Sequence, residues 1–232
     1  MKRVGIIGAM ELEVEALKAQ MHVNETFSRA SMEFYSGTLN DTDVVIVKSG
    51  VGKVNAALCA QILIDVFQVT HIINTGVAGS LNADLDIGDI LVSEDAIYHD
   101  MDVRVFGYQI GQVPGFDVVS FPANKDMVRI ALETCAQVNP DIKAVGGRVA
   151  SGDQFISSKE VKDAIIANVK GDCAEMEGAS IAHAAYLSKV PFVIIRAISD
   201  KADDSAEMDY PTFERAAAKH SANLVAHMIC KL

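Results

Sequence analysis

The sequence predicts an α/β domain built on a largely parallel, centrally placed sheet, with residues 1–232 forming one unit. Three observations carry that expectation. Short apolar runs alternate with longer stretches of helical period. Several runs are apolar throughout, as strands covered on both faces should be. The chain has 232 residues, of which 50% are hydrophobic, enough for one sizeable core.

The elements follow in order. Residues 3–7 form the first strand, and "GIIGAMELEVEAL" carries it through glycines into a helix over residues 11–22. At about 100° per residue, Met10, Val14, Leu17 and Met21 share one helix face, Glu11 and Glu15 point away, and Glu13 sits at the edge. Glu11 and Glu15 read as solvated acids favoured by the helix N-terminus. A partly buried Glu13 needs either a partner or a task. Strands at 43–47, 71–74, 89–93, 143–150 and 191–197 alternate with helices at 53–67, 124–138, 158–169 and 178–188, and Pro211 is expected to open a terminal helix reaching about residue 230. Residues 98–121 break the alternation with glycines, a proline and several aromatics, so they form either a functional or interface loop or an irregular excursion with an extra strand.

Further glycine-rich stretches, "SGVGKVNAA", "NTGVAGS" and "SGDQFISS", follow predicted strands. Ligands of open α/β sheets gather beyond the carboxyl ends of the strands, so these loops can converge on one crevice. Neither the G-x-G-x-x-G pattern nor a P-loop is present. Two carboxylate sites stand out. "AEMEG" places Glu175 and Glu177 on one side of an extended segment, and "VIIRAISD" ends an apolar strand in Ser199 and Asp200 with Arg196 inside it. A charge in such a strand needs a partner, and an acid at its end is placed for catalysis; function and a structural ion pair both fit.

Composition excludes several classes. With 20 Lys and Arg against 31 Asp and Glu, the net charge of −11 offers no general attraction to nucleic acid or an anionic membrane. The first apolar run ends at Glu11, too early for a secretory signal, and no stretch approaches the roughly 18 apolar residues of a membrane span. Cys59, Cys135, Cys173 and Cys230 are too scattered for a metal or redox motif, which suggests a cytoplasmic chain with reduced thiols. The six histidines lack metal-ligand spacing, and Ser49, Ser151 and Ser199 lack a nucleophile elbow. No metal is expected.

Taken together, "IIGAMELEVEAL", "SGVGKVNAA", "NTGVAGS", "YHDMDVRVFGYQIGQVPG", "SGDQFI", "AEMEGASIAH" and "FVIIRAISDKAD" resemble, in this order, the bacterial 5'-methylthioadenosine/S-adenosylhomocysteine nucleosidases. The resemblance spans essentially the whole chain. It implies the nucleoside phosphorylase fold, a mixed, partly closed central sheet surrounded by helices. It also implies a homodimer that uses no cofactor and hydrolyses the bond from adenine to a 5'-thioether-bearing ribose, with 5'-deoxyadenosine as a further substrate and a place in methionine salvage.

By the same resemblance Asp200 protonates adenine N7, Glu13 activates water, and Arg196 holds Glu13 ionised and oriented. Substrate contacts carry over to Val77, Ala78, Gly79, Phe155, Ile156, Glu175, Met176, Glu177, Ser199 and Tyr210; Val103, Phe106, Tyr108 and Pro114 match a loop that reaches the neighbour's pocket. Val77 replaces a serine common among relatives, and Leu12 the middle acid of their "EEE" start. A purine nucleoside phosphorylase would need a cation in the first loop, and residues 5–17 contain no Lys or Arg. Hydrolysis of 6-amino-6-deoxyfutalosine would use the same adenine and ribose contacts, and a non-catalytic nucleoside-binding protein could share the fold.

Overall fold

The structure, a computed structural model, describes residues 2–232. Its first half runs β1 (Val4–Gly8), α1 (Glu11–Gln20), β2 (His22–Arg29), β3 (Met32–Leu39), β4 (Thr42–Lys48), α2 (Lys53–Asp65), β5 (His71–Ser80) and β6 (Ile90–Tyr98). The second half runs β7 (Phe121–Pro122), α3 (Lys125–Val138), β8 (Ala144–Ser151), α4 (Lys159–Val169), β9 (Cys173–Glu175), α5 (Gly178–Ser188), β10 (Phe192–Asp200) and α6 (Ala206–Met228).

Five strands close on themselves. β10 pairs with both β5 and β6, β6 with β8, β8 with β9, and β9 with β5. From β5 the sheet continues outward through β1, β4, β3 and β2. The sheet is therefore mixed and partly closed, not largely parallel. The antiparallel share comes mostly from tight connections: β2, β3 and β4 are joined through Ala30 and Ser31 and through Asn40 and Asp41, all at positive φ, so no crossover helix is needed. β2 is polar and almost wholly exposed, which is why no apolar run announces it.

Apolar residues fill the space between this sheet and its helices. Val14 and Leu17 of α1 pack with Ile6, Ile46, Leu224 and Val225. On the opposite side Cys59 and Leu63 of α2 and Ile181 and Ala185 of α5 pack with Ile72 and Ile194. Cys59, Cys135 and Cys173 are buried, Cys230 is exposed, and all four thiols are free. Among the described residues no helix is long and apolar enough to cross a membrane.

Two further expectations need correction. "NTGVAGS" is not a loop but the second half of β5, whose glycines let other groups approach the backbone. Pro211 lies inside α6 instead of opening it. The helix begins earlier because the Ser205 hydroxyl donates to Asp209 at 2.7 Å and its N–H to Asp203 at 3.0 Å, with Glu207 and Asp209 placed at the positive helix end. Residues 98–121 contain one short turn of 3₁₀-helix at Arg104–Phe106 and the two-residue β7. Tyr98, Phe116 and Phe121 gather around His183 of α5, while Val105 and Phe106 are 86% and 75% exposed.

Candidate active site

The carboxyl ends of β5, β9 and β10 meet the turn after β1 at one cleft, bounded on its outer side by residues 154–156 and by Tyr210 of α6. The cleft encloses about 630 Å³ of space between atoms, part of it open to solvent.

Glu13 occupies the cleft floor and is 3% exposed. It belongs to the first turn of α1, directly after the glycine turn that leaves backbone N–H groups free. Its Oε2 accepts the N–H of Ala9 at 2.6 Å and of Met10 at 2.9 Å, and Oε1 accepts the N–H of Val77 at 3.1 Å. Burial pushes the carboxyl above its ordinary value, partly offset by the charge of Arg196 and by these three donors. A buried carboxyl of raised pKa facing a cleft is a candidate for proton exchange with whatever binds there.

Arg196 lies behind the cleft wall at 1% exposure. One nitrogen, Nη2, donates to Asn74 Oδ1 at 2.6 Å, bonds the Glu175 carboxylate and comes within 3.8 Å of Glu177. Burial works against its charge, but Glu175, Glu13 and Glu177 outweigh that effect and hold the guanidinium above its ordinary value. No Glu13 oxygen lies within ion-pair distance of it, and its Nη1 and Nε have no hydrogen-bond partner among the described residues. The expectation that Arg196 orients Glu13 is therefore corrected. Three backbone donors orient Glu13, and Arg196 acts on it through its field.

Glu175 and Glu177 both face the cleft. Glu175 is fully engaged by protein donors: the Ser151 hydroxyl, Arg196, and the N–H groups of Glu177 at 3.1 Å and Gly178 at 2.8 Å. It is thus a wall-building group that ends β9 and caps the first N–H groups of α5, not a free acceptor for a ligand. Glu177 receives only the Gly52 N–H at 2.8 Å, and burial together with the Glu175 charge raises its carboxyl to about 7.

Asp200 ends β10 on the cleft at 2% exposure. Its Oδ2 accepts the Ser199 hydroxyl at 2.8 Å and its Oδ1 the Ala202 N–H at 2.8 Å. Burial raises this carboxyl, against the pull of those two donors. Such a group can carry a proton to a ligand nitrogen.

Val77, Ala78, Gly79, Phe155, Ile156, Met176, Ser199 and Tyr210 all line the same cleft. Phe155 is 49% exposed and meets the Tyr210 ring edge-on at 5.5 Å. Val103, Phe106, Tyr108 and Pro114 do not line the cleft of their own chain. Sequence reading misses Met10, whose sulfur accepts the Tyr210 hydroxyl at 3.3 Å, and the cleft residues Ala9, Val51, Gln154, Ala174 and Ala202. It also misses Asn74, a polar residue inside an apolar strand that also donates to Ile7 O at 2.9 Å. In the sequence Ser151 stands out only as a nucleophile to be excluded, whereas its hydroxyl serves Glu175 and accepts the Ala179 N–H at 2.7 Å. Small apolar residues carry no chemical signature, but a lone Asn within "HIINTG" does.

Comparison with known proteins agrees with this geometry. Residues 3–229 match the phosphorylase superfamily. A 5'-methylthioadenosine/S-adenosylhomocysteine nucleosidase of Geobacillus sp. (strain WCH70) is 41% identical over 231 residues, covering 99% of each chain. The crystal structure of such a nucleosidase from Colwellia psychrerythraea 34H, in complex with adenine, superposes with a TM-score of 0.96 at 42% identity, covering 100% of this chain and 96% of that one. A futalosine hydrolase of Helicobacter pylori gives a TM-score of 0.94 at 32% identity, covering 100% and 98%. With buried acids on its cleft and full-length identity to these relatives, the chain belongs to the phosphorylase superfamily and, within it, to the 5'-methylthioadenosine/S-adenosylhomocysteine nucleosidases, a family of N-glycosyl hydrolases.

Proposed function

We propose that this chain hydrolyses the N-glycosidic bond of 5'-methylthioadenosine and S-adenosylhomocysteine, and also of 5'-deoxyadenosine, releasing adenine and the 5-substituted ribose. One observation carries the reading: two buried carboxyls brought by different elements, Glu13 of α1 and Asp200 of β10, both pushed up by burial, line one cleft whose lining includes no Lys, Arg or His among the described residues. Phosphorolysis needs a cation for phosphate, and the guanidinium nearby, that of Arg196, is committed to Glu175 and Glu177 behind the wall.

In the reaction, Glu13 takes a proton from water as the water oxygen bonds to the anomeric carbon. The carbon–nitrogen bond breaks, its electron pair moves into adenine, and Asp200 supplies a proton to N7. Each such transfer contributes about 10² to 10⁴ in rate. An ionised Glu177 on the same cleft favours the positive charge that develops on the ribose. Glu177, with one backbone donor, retains acceptor capacity for the ribose hydroxyls, Met176 packs on the sugar, and Phe155 and Tyr210 cover the purine. Val77 offers only its backbone N–H, already given to Glu13, so the attacking water relies on Glu13 and backbone groups.

The active unit in this reading is a cytoplasmic homodimer. Exposed Val105 and Phe106, and exposed Val54 and Leu58 of α2 and Leu187 of α5, supply the apolar surface that a second copy covers. Val103, Phe106, Tyr108 and Pro114 then complete the neighbour's thioether pocket. Light scattering that finds fully active monomers removes this part.

Adenine release from 5'-methylthioadenosine, in buffers with and without phosphate, tests the chemistry. Equal rates and free 5-methylthioribose support hydrolysis, and a phosphate requirement would sink the role of Glu13. Tight binding without adenine would point to a binding protein. The likeness to a futalosine hydrolase makes 6-amino-6-deoxyfutalosine the second substrate to compare, by kcat/KM.

A further inference from the structure

Helix α2 begins in an unfavourable way. Its first residue is the cation Lys53, at the helix's positive end, no acid lies in its first turn, and its N-cap is Gly52, which has no side chain to cap with. Two carboxylates from distant parts of the chain serve those free donors. The Gly52 N–H donates to Glu177 Oε1 at 2.8 Å, and the Lys53 N–H donates to Asp153 Oδ1 at 2.8 Å.

The Lys53 side chain closes a ring around the second carboxylate. Its ammonium bonds Asp100 Oδ2 at 2.6 Å, the same oxygen accepts the Asp153 N–H at 3.1 Å, and Asp153 in turn holds the Lys53 backbone. The ammonium also lies 3.9 Å from Asp153 Oδ2 and 5.5 Å from the centre of the Tyr98 ring. The ring ties the loop before α2, the end of β6 and the loop after β8 into one unit. Gly52 sits inside it at φ +96°, where an added Cβ would press on Asp153 Oδ1 at 3.1 Å. The backbone at Gly52 is therefore held in place from one side by this ring and hands its N–H to Glu177 on the other.

We propose that Lys53, with Asp100 and Asp153, is a positioning residue for ribose recognition: the ring fixes the Gly52 N–H against Glu177 and so aims the Glu177 carboxylate at the sugar. The inference rests on the ribose role given to Glu177 above. None of the three ring residues lines the cleft, so they act through Gly52 without touching the ligand. Because the ring reaches Glu177 and not Asp200, its loss falls on the nucleoside and spares free adenine.

The test uses the full-length chain as wild type, Lys53→Met and Lys53→Arg, measuring kcat and KM for 5'-methylthioadenosine and the inhibition constant of adenine. Losing the aim of one hydrogen bond to a charged group raises KM by about 10-fold or more in Lys53→Met, with kcat and the adenine constant within about 3-fold of wild type. Lys53→Arg, which keeps the charge, restores KM to within about 3-fold. An unchanged KM in Lys53→Met overturns the proposal, as does an equal rise in KM and the adenine constant or an arginine variant as impaired as the methionine one. If Lys53→Met does not fold, Asp100→Asn breaks the ring from the other side and must show the same split. A wild type that neither hydrolyses nor binds the nucleoside removes the Glu177 assignment and the ring's role with it, whereas an active wild type with an unaffected Lys53→Met removes only the latter.

Discussion

Replacing Gly76 with alanine should remove most of the turnover while leaving the chain folded. Gly76 lies in β5 directly opposite Arg196 of β10. A Cβ at that position would overlap both Glu13 Oε1 and Arg196 Nη1 and stand 2.8 Å from Glu13 Cδ. Neither neighbour can retreat freely. Glu13 is held by the N–H groups of Ala9, Met10 and Val77, and Arg196 by Asn74 and Glu175. Overpacking of this kind costs about 1 to 3 kcal/mol, which in a chain of this size lowers Tm by roughly 2 to 12 °C. The larger effect is on chemistry, because a displacement of the base by about 1 Å costs on the order of 100-fold in rate. Adenine release gives kcat, and calorimetry with far-UV circular dichroism follows Tm and fold. A variant that keeps kcat within about 3-fold of wild type would refute the claim that the Glu13 position limits turnover.

Other expected outcomes follow from the same groups. Glu13→Gln and Asp200→Asn each lower adenine release by about 10² or more with the fold retained, and unchanged turnover in either removes that assignment. Arg196→Met leaves Glu175 buried without its counter-charge and destabilises the chain by about 3 to 5 kcal/mol in urea unfolding; a loss below about 1 kcal/mol would refute a structural role for this ion pair. A base and a ribose acceptor must both be ionised to work, and burial raises Glu13 above its ordinary value and Glu177 to about 7. The acid limb of kcat/KM should then fall away as pH drops through about 7; an acid limb at ordinary carboxylate pH would contradict both shifts.

Much of the cleft is legible in the sequence because its chemistry needs charged side chains in apolar surroundings. Glu13 at the edge of an apolar helix face, Arg196 within "VIIRAISD" and Asp200 at its end each violate the local pattern, and each proves to be buried on or behind the cleft. What pairs with what is not legible. Arg196 turns to Asn74 and Glu175, because β9 places Glu175 on the far side of the ring of strands, and no sequence spacing encodes that closure. The β2–β3 hairpin escapes for a different reason. One of its strands faces water on nearly every residue, and its turn uses Ala30 and Ser31 where a glycine would have signalled it. Pro211 misleads because proline usually marks a helix start, and here it follows one by five residues.

The closure of five strands also sets an order of events. β10 is the last strand of the chain, yet it sits between β5 and β6 and brings Arg196, Ser199 and Asp200 with it. Until residue 200 has been synthesised, β5 and β6 lack their common neighbour, and Glu13 and Glu175 have no guanidinium to balance them. Contacts that span so much of the chain carry a large loop-closure cost and form late. Docking of β10 supplies the neighbour that β5 and β6 share and brings the guanidinium to Glu175 together with it. Cleft assembly and barrel closure are then one kinetic event, so a refolding trace followed by recovered activity and one followed by amide protection of β5 should coincide.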